Sequence, residues 1–188
     1  MDTRPVMDQI DRDGFRANVG IVLMHTDGQL FLGRRTGGRG WQFPQGGVLR
    51  GEPPEDALFR ELEEEIGLRA ADVSIMAATQ DWLRYRLPAK YVRRDRRPVC
   101  IGQKQRWFLL RLEREGAPFR FDTTGEPEFD AWRWTDFWDP IRQVIHFKRP
   151  VYHSALHELG RMAFPDGLPA YPAWWGSLGF ELPAVAAP

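Results

Sequence analysis

The first pronounced apolar stretch of the chain, Val19-Gly20-Ile21-Val22-Leu23-Met24, runs without a polar break; after His25-Thr26-Asp27-Gly28 a second begins at Gln29-Leu30-Phe31-Leu32. Two apolar runs either side of an Asp-Gly turn predict a buried β-hairpin. Beyond it lies a connection rich in glycine and arginine, Gly33 to Gly40. It leads into Trp41-Gln42-Phe43-Pro44-Gln45-Gly46-Gly47, where a proline and paired glycines predict a loop that turns sharply or lies close against another group.

Pro53 and Pro54 stand where a helix can start, acidic residues fill the first turn, and the pattern stays helical from Glu55 to Ile66 until Gly67 ends it. Short strands are expected at Val73 to Ala78, Asp81 to Leu87, Arg106 to Leu112 and Glu128 to Trp134. A second helix opens at Pro150 and continues to about Gly160, with Val151, Ala155 and Leu159 on one face. Strands interspersed with two helices, and no GxGxxG after a strand, indicate an α+β domain rather than a doubly wound dinucleotide fold. Residues 1–160 are read as this domain. Residues 161–188 carry five prolines and the pair Trp174-Trp175, and are read as an irregular C-terminal extension whose tryptophans dock on it.

The chain has 188 residues, 26 Lys plus Arg and 26 Asp plus Glu, so its formal net charge is zero. Binding of nucleic acid through bulk positive charge is thereby excluded, and any such contact must be local. One cysteine, Cys100, supplies neither a disulfide within the chain nor a thiolate metal cluster, and its apolar neighbours suggest a buried small hydrophobe. No stretch approaches the ~18 continuous apolar residues of a membrane span, and the polar start of the chain has no signal-peptide core. A cytoplasmic protein with no membrane partner is the expectation.

Glu61, Glu64 and Glu65 stand at i, i+3 and i+4, which puts three carboxylates on one face of the first helix. Such a cluster is either a solvated acidic face or a set of hard oxygen ligands of the kind Mg²⁺ or Mn²⁺ takes. Its setting decides between them. Gly46, Glu52 six positions on, and Arg60-Glu61-Leu62-Glu63-Glu64-Glu65-Ile66-Gly67-Leu68 share one fixed spacing, with nine defined positions inside 23 residues.

That constellation resembles the Nudix box at every defined position. The resemblance implies a Nudix-type α/β/α sandwich with a mixed sheet and a catalytic loop-helix-loop, hydrolysing a phosphoanhydride bond with Mg²⁺ or Mn²⁺ as cofactor. It implies Glu61, Glu64 and Glu65 as metal ligands and Arg60 as the residue that keeps them in register; Gly46 joins the metal set. Outside the box, Asp13 to Ile21, Trp41 to Gly47, Trp82 to Tyr85, Pro98 to Gln105 and Pro127 to Asp130 are similar to segments of bacterial RNA pyrophosphohydrolases and their dinucleoside polyphosphate hydrolase relatives.

On that resemblance, the activity is removal of phosphates from the 5′ end of RNA to leave a 5′-monophosphate, which promotes mRNA decay. The substrate is an RNA 5′ end or a nucleotide, with no DNA partner. The alternatives are a diadenosine polyphosphate hydrolase and a non-catalytic RNA-binding module. Glu128 matches a further acidic residue of the metal and catalytic set; as a bland alternative it is a strand-edge surface glutamate. Glu61 and Glu128 are both candidates for the proton acceptor. Arg16 and Arg35 are matched to the nucleotide and phosphate end, and the Ile145-His146-Phe147-Lys148 segment to a nucleobase pocket, although Phe147 as a core residue and Lys148 as a solvated one remain open; Gln45 and Tyr85 join the substrate-binding set.

Nine basic residues between Arg84 and Arg106 face one acidic residue, Asp95, so a local positive patch forms on a neutral chain. Tyr85 between Arg84 and Arg86, and Phe147 beside Lys148, offer stacking surfaces for bases. Two departures from the relatives stand out: Gly40 replaces a small polar residue before the tryptophan, and the Pro- and Trp-bearing tail follows no shared pattern. His153 and His157, at i and i+4 with no third ligand nearby in sequence, are read as a surface pair.

Overall fold

A computed structural model describes residues 9–180 of the chain. The expectations for the first residues and the last eight of the tail lie outside the described residues. Strand β1 (Phe15–Met24) and strand β2 (Leu30–Arg35) form the expected hairpin, with Met24 opposite Leu30. Two strands too short to leave a periodic signature follow, β3 (Trp41–Gln42) and β4 (Gln45–Gly47). Helix α1 (Pro54–Ile66) comes next, then β5 (Val73–Ala78), β6 (Leu83–Arg86), β7 (Gly102–Leu112) and β8 (Phe129–Thr135). Helices α2 (Asp139–Gln143) and α3 (Arg149–Ala163) complete the order.

The eight strands make one mixed sheet along the path β3-β2-β1-β7-β5, with β4 also on β1, β6 on β7 and β8 on β2. β1 and β7 run parallel over ten residue pairs, from Phe15 opposite Gly102 to Met24 opposite Arg111; the other pairings are antiparallel. The parallel pair needs a long crossover, and α1 lies within it.

Alternation along the central strands sends side chains to two separate cores. Val19, Ile21 and Leu23 of β1, with Phe31, Phe108 and Leu110, pack under Leu58, Leu62 and Ile66 of α1. Val22, Leu30, Leu32, Trp107 and Leu109 point the other way and meet Ile141 of α2 and Tyr152, Leu156 and Leu159 of α3. Helices on both faces of a mixed sheet give the expected α/β/α layering. Leu58, Leu62 and Ile66 are fully buried, worth about 2 kcal/mol each in transfer free energy; this anchors the helix that carries the carboxylates. Gly67 closes it in the left-handed region (φ 73°), its N–H donating to the carbonyl of Glu63 at 3.1 Å.

Past α3, residues up to Phe180 fold back on the helix. Trp175 is 1% exposed and stacks edge-on to Trp138, whose Nε1 donates to the carbonyl of Pro169 at 2.9 Å. This packing corrects the reading of the histidine pair as surface residues. His153 and His157 lie 4.4 Å apart by ring centroids, but His157 is buried against Trp138, Tyr171 and Trp175. Cys100 is only half-buried, its Sγ 3.2 Å from the carbonyl of Gly102. No helix among the described residues is long and apolar enough to cross a membrane.

Candidate active site

Arg60 sits at the centre of the acidic face. Its Nε and Nη2 grip the two oxygens of Glu52 at 2.8 and 2.9 Å, Nη2 also donates to the carbonyl of Gly47 at 2.7 Å, and Nη1 donates to Glu61 at 2.6 Å. Glu64, one turn further along the helix, is the more distant contact at 3.5 Å. The guanidinium thus ties the helix to the loop before it through a two-pronged carboxylate contact. Hydrogen bonding from Arg60 pulls the Glu52 carboxyl below its usual range, and Glu52 also accepts from the N–H of Leu49 at 2.8 Å.

Glu61 is 8% exposed, and burial pushes its carboxyl up although Arg60 opposes this. Glu65 accepts from the backbone N–H of Gln45 at 2.9 Å, yet burial and the nearby charges of Glu61 and Glu128 raise it well above the ordinary carboxylate range. Gly46 lies opposite Val19 on the β4–β1 pair, directly under the Glu61 carboxylate; a Cβ there would overlap it. At the far end of the helix, the hydroxyl of Thr123 donates to the carbonyls of Glu63 and Glu64.

Among the described residues no three His, Cys, Asp or Glu side chains already form a closed metal cage: Glu61 is turned to Arg60 and Glu128 to Arg35. The donor chemistry nevertheless fits a hard divalent cation. Burial drives Glu61 and Glu65 toward the neutral form, the charge of Glu64 acts on Glu61 and those of Glu61 and Glu128 act on Glu65, and cationic charge nearby would favour the ionised forms.

Beside the helix, a cleft of about 510 Å³ is lined by Arg35, Gln45, Tyr85, Glu128, Phe147 and Lys148. All six come from the sequence reading, drawn from five separate segments of the chain. Glu128 receives a hydrogen bond from Nε of Arg35 at 2.8 Å and one from Gln42 at 3.3 Å. Lys148 is buried, not solvated: its Nζ donates to Gln42 at 3.3 Å and Gln45 at 3.2 Å, and burial, reinforced by Arg35, lowers its pKa to about 8. Tyr85 and Phe147 have ring centroids 6.0 Å apart, and the exposed Tyr91 lies 5.6 Å from Phe147. Arg16 falls just outside this cleft, in an adjoining hollow that shares Tyr91 and Gln103 with it.

Several contributors were not singled out from sequence. Gln42 bridges Lys148 and Glu128. Gln105 donates to Asn18 at 2.6 Å and to Gln45 at 3.4 Å. Tyr152 of α3 accepts from the N–H of Phe43 at 3.0 Å and stacks on its ring, so it pins the loop that carries Gln45 and Gly46. Gln42 lies in a segment flagged for its proline and glycines; Tyr152 and Gln105 carry no local signal, because their partners are 109 and 87 positions away.

The model of the NUDIX domain matches residues 14–155. An RNA pyrophosphohydrolase of Alkalilimnicola ehrlichii is 59% identical over 163 residues, covering 87% of this chain and 90% of that relative. One of Psychrobacter cryohalolentis is 60% identical over 151 residues, covering 80% and 87%. Among solved structures, the E. coli dihydroneopterin triphosphate pyrophosphohydrolase superposes with a TM-score of 0.60 at 18% identity, covering 79% of this chain and 95% of that one. An Ap4A hydrolase of C. elegans superposes with a TM-score of 0.58 at 18% identity, covering 77% and 95%. At that identity the two structures speak for the fold alone.

Proposed function

Since this chain belongs to the NUDIX family and is a hydrolase of its RNA pyrophosphohydrolase group, which works with divalent metal, we propose that it removes phosphates from the 5′ end of RNA. The product is a 5′-monophosphate end, a change that promotes mRNA decay. The observation that carries the residue assignments is the cleft in which Glu128, Arg35, Gln45, Tyr85, Phe147 and Lys148 meet beside the acidic helix.

Glu61, Glu64, Glu65 and Glu128, with the backbone of Gly46, would hold Mg²⁺ or Mn²⁺. Bound there, the cation neutralises charge that builds on the phosphoanhydride oxygens and lowers the pKa of an attacking water. The chain's own residues do the rest. Arg60 fixes Glu61 and the Gly47 backbone in one frame, so the ligands keep their spacing on α1. Arg35 and Arg16 supply positive charge for the phosphates. Tyr85 and Phe147 offer ring faces to a base, and Lys148 beside Gln42 and Gln45 presents a polar edge at the bottom of the cleft. Glu61 and Glu128 are the two carboxylates available to take the proton from water.

Turnover of 5′-triphosphorylated RNA with Mg²⁺, compared with that of diadenosine tetraphosphate, tests the reading. The RNA is expected to be the better substrate and to end as 5′-monophosphorylated product; a strong preference for the dinucleotide would reverse it.

A further inference from the structure

The stretch between β6 and β7 concentrates positive charge that no ion pair among the described residues balances. Arg93, Arg94, Arg96 and Arg97 are all exposed, and among the described residues none makes an ion pair. Among the described residues, the one ion pair on the basic stretch from Arg84 to Arg106 joins Lys104 to Asp11 at 2.9 Å. Like charges held this close repel one another. Arg97 also donates from Nη1 to the carbonyls of Arg94 and Arg96 at 2.7 and 3.0 Å, which closes this part of the loop on itself.

These arginines border the catalytic cleft. A hollow of about 480 Å³ is lined by Arg16, Arg93, Arg96 and Arg97, and it shares Leu87, Tyr91 and Gln103 with that cleft. Past Arg97 a second hollow of about 530 Å³ takes in Arg86 and Arg94. A basic groove therefore starts at the wall of the site and leads away from it, with Tyr91 at the junction.

We propose that Arg93, Arg96 and Arg97 form a subsite for the phosphodiester backbone of the RNA nucleotides that follow the 5′ end. This rests on the reading of the cleft as an RNA 5′-end site. A chain whose first nucleotides occupy the cleft must leave it, and the arginine groove is contiguous with it through three shared residues. Guanidinium groups bind phosphate diesters in any sequence, so the subsite adds affinity with chain length and reads no base. Free nucleoside triphosphates and dinucleoside polyphosphates have no such backbone and gain nothing from it.

The test uses the full chain with Mg²⁺ and 5′-triphosphorylated RNAs of two and eight nucleotides. Arg93→Gln/Arg96→Gln removes two exposed charges and leaves Arg97, which shapes the loop. The double variant is expected to match the wild type on the two-nucleotide RNA. On the eight-nucleotide RNA its kcat/KM falls about tenfold through KM, and the salt slope of log KM drops by roughly 1.4, about 0.7 per lost phosphate contact. Arg93→Lys/Arg96→Lys retains most of the affinity. An equal loss on both RNAs, or no loss on the longer one, overturns the subsite. Anisotropy of a labelled, 5′-monophosphorylated eight-nucleotide RNA separates the two claims: a wild type that hydrolyses neither RNA defeats the 5′-end reading, whereas equal affinity of wild type and variant defeats the subsite.

Discussion

Arg60 and Glu52 meet through two parallel contacts, Nε to Oε1 at 2.8 Å and Nη2 to Oε2 at 2.9 Å, and the same guanidinium holds Glu61 at 2.6 Å. The ladder Glu52–Arg60–Glu61 thus connects the loop before α1 to a carboxylate that the fold has largely removed from water. Lysine cannot make the paired contact and the Gly47 contact at once. Arg60→Lys is expected to lower kcat more than tenfold while far-ultraviolet circular dichroism is unchanged. Glu52→Gln is expected to cost about 1–3 kcal/mol in urea unfolding, the range for weakening a part-buried charged hydrogen bond. The Glu52 carboxyl is held below its ordinary value, so its stabilisation is present above the unfolded-state pKa and is lost as pH falls through the lowered one.

Gly46 has no side chain because the Glu61 carboxylate occupies that space. Gly46→Ala must displace either the helix or the carboxylate. Turnover is expected to fall about 10²-fold, with a stability loss of about 1–3 kcal/mol from overpacking. Wild-type turnover in Gly46→Ala would show that Glu61 works from another position.

Lys148 is a buried cation whose hydrogen bonds go to two amide oxygens, those of Gln42 and Gln45. Lys148→Met removes a charge that is costly to bury and keeps the bulk of its stem. The melting temperature is expected to stay level or rise while KM for RNA rises at least about tenfold, roughly the 1.4 kcal/mol of one charge-assisted contact. A variant that loses stability without a change in KM would make Lys148 a structural residue only.

Burial holds His157 at about 4, well below the ordinary value of 6.5, with smaller contributions from His153 and Arg161; Trp138, Tyr171 and Trp175 cover it. The unfolded chain therefore takes up a proton between those values and the folded one does not. Stability is expected to decline as pH falls from 6.5 toward 4; above that window the group costs nothing, and below it the full loss stays in place with no further pH dependence. His153, shifted the same way, adds to the effect. Denaturant midpoints at pH 4.5 and 7.5 should differ less in His157→Leu than in the wild type; an equal difference would refute the assignment.

The acidic helix was legible because its chemistry is local: three carboxylates within one turn, a proline start and a glycine stop all fall within 15 residues of one another. The positive patch at Arg93 to Arg97 was visible for the same reason. The cleft's far wall was named only through the family resemblance, and the burial of Lys148 was not legible at all, since its partner Gln42 lies 106 positions away. The same limit explains His157, which looked like a surface residue until Tyr171 and Trp175 folded over it. β3 and β4, with two and three residues, are too short for any period to show. α2, five residues long, offered only a proline at its start.

The central claim is that the carboxylates of α1 hold the divalent cation that drives cleavage at an RNA 5′ end, and Glu64→Gln tests it most directly. Glu64 is 42% exposed at its side chain and only 3.5 Å from Arg60, so the isosteric amide should fold as the wild type does. With 5′-end-labelled triphosphorylated RNA and Mg²⁺, the wild type is expected to release the label and leave a 5′-monophosphate. Glu64→Gln should be slower by about 10²–10³-fold at the Mg²⁺ concentration that saturates the wild type, the loss typical of removing one electrostatic group from a transition state. Release of label at the wild-type rate by Glu64→Gln would contradict the account.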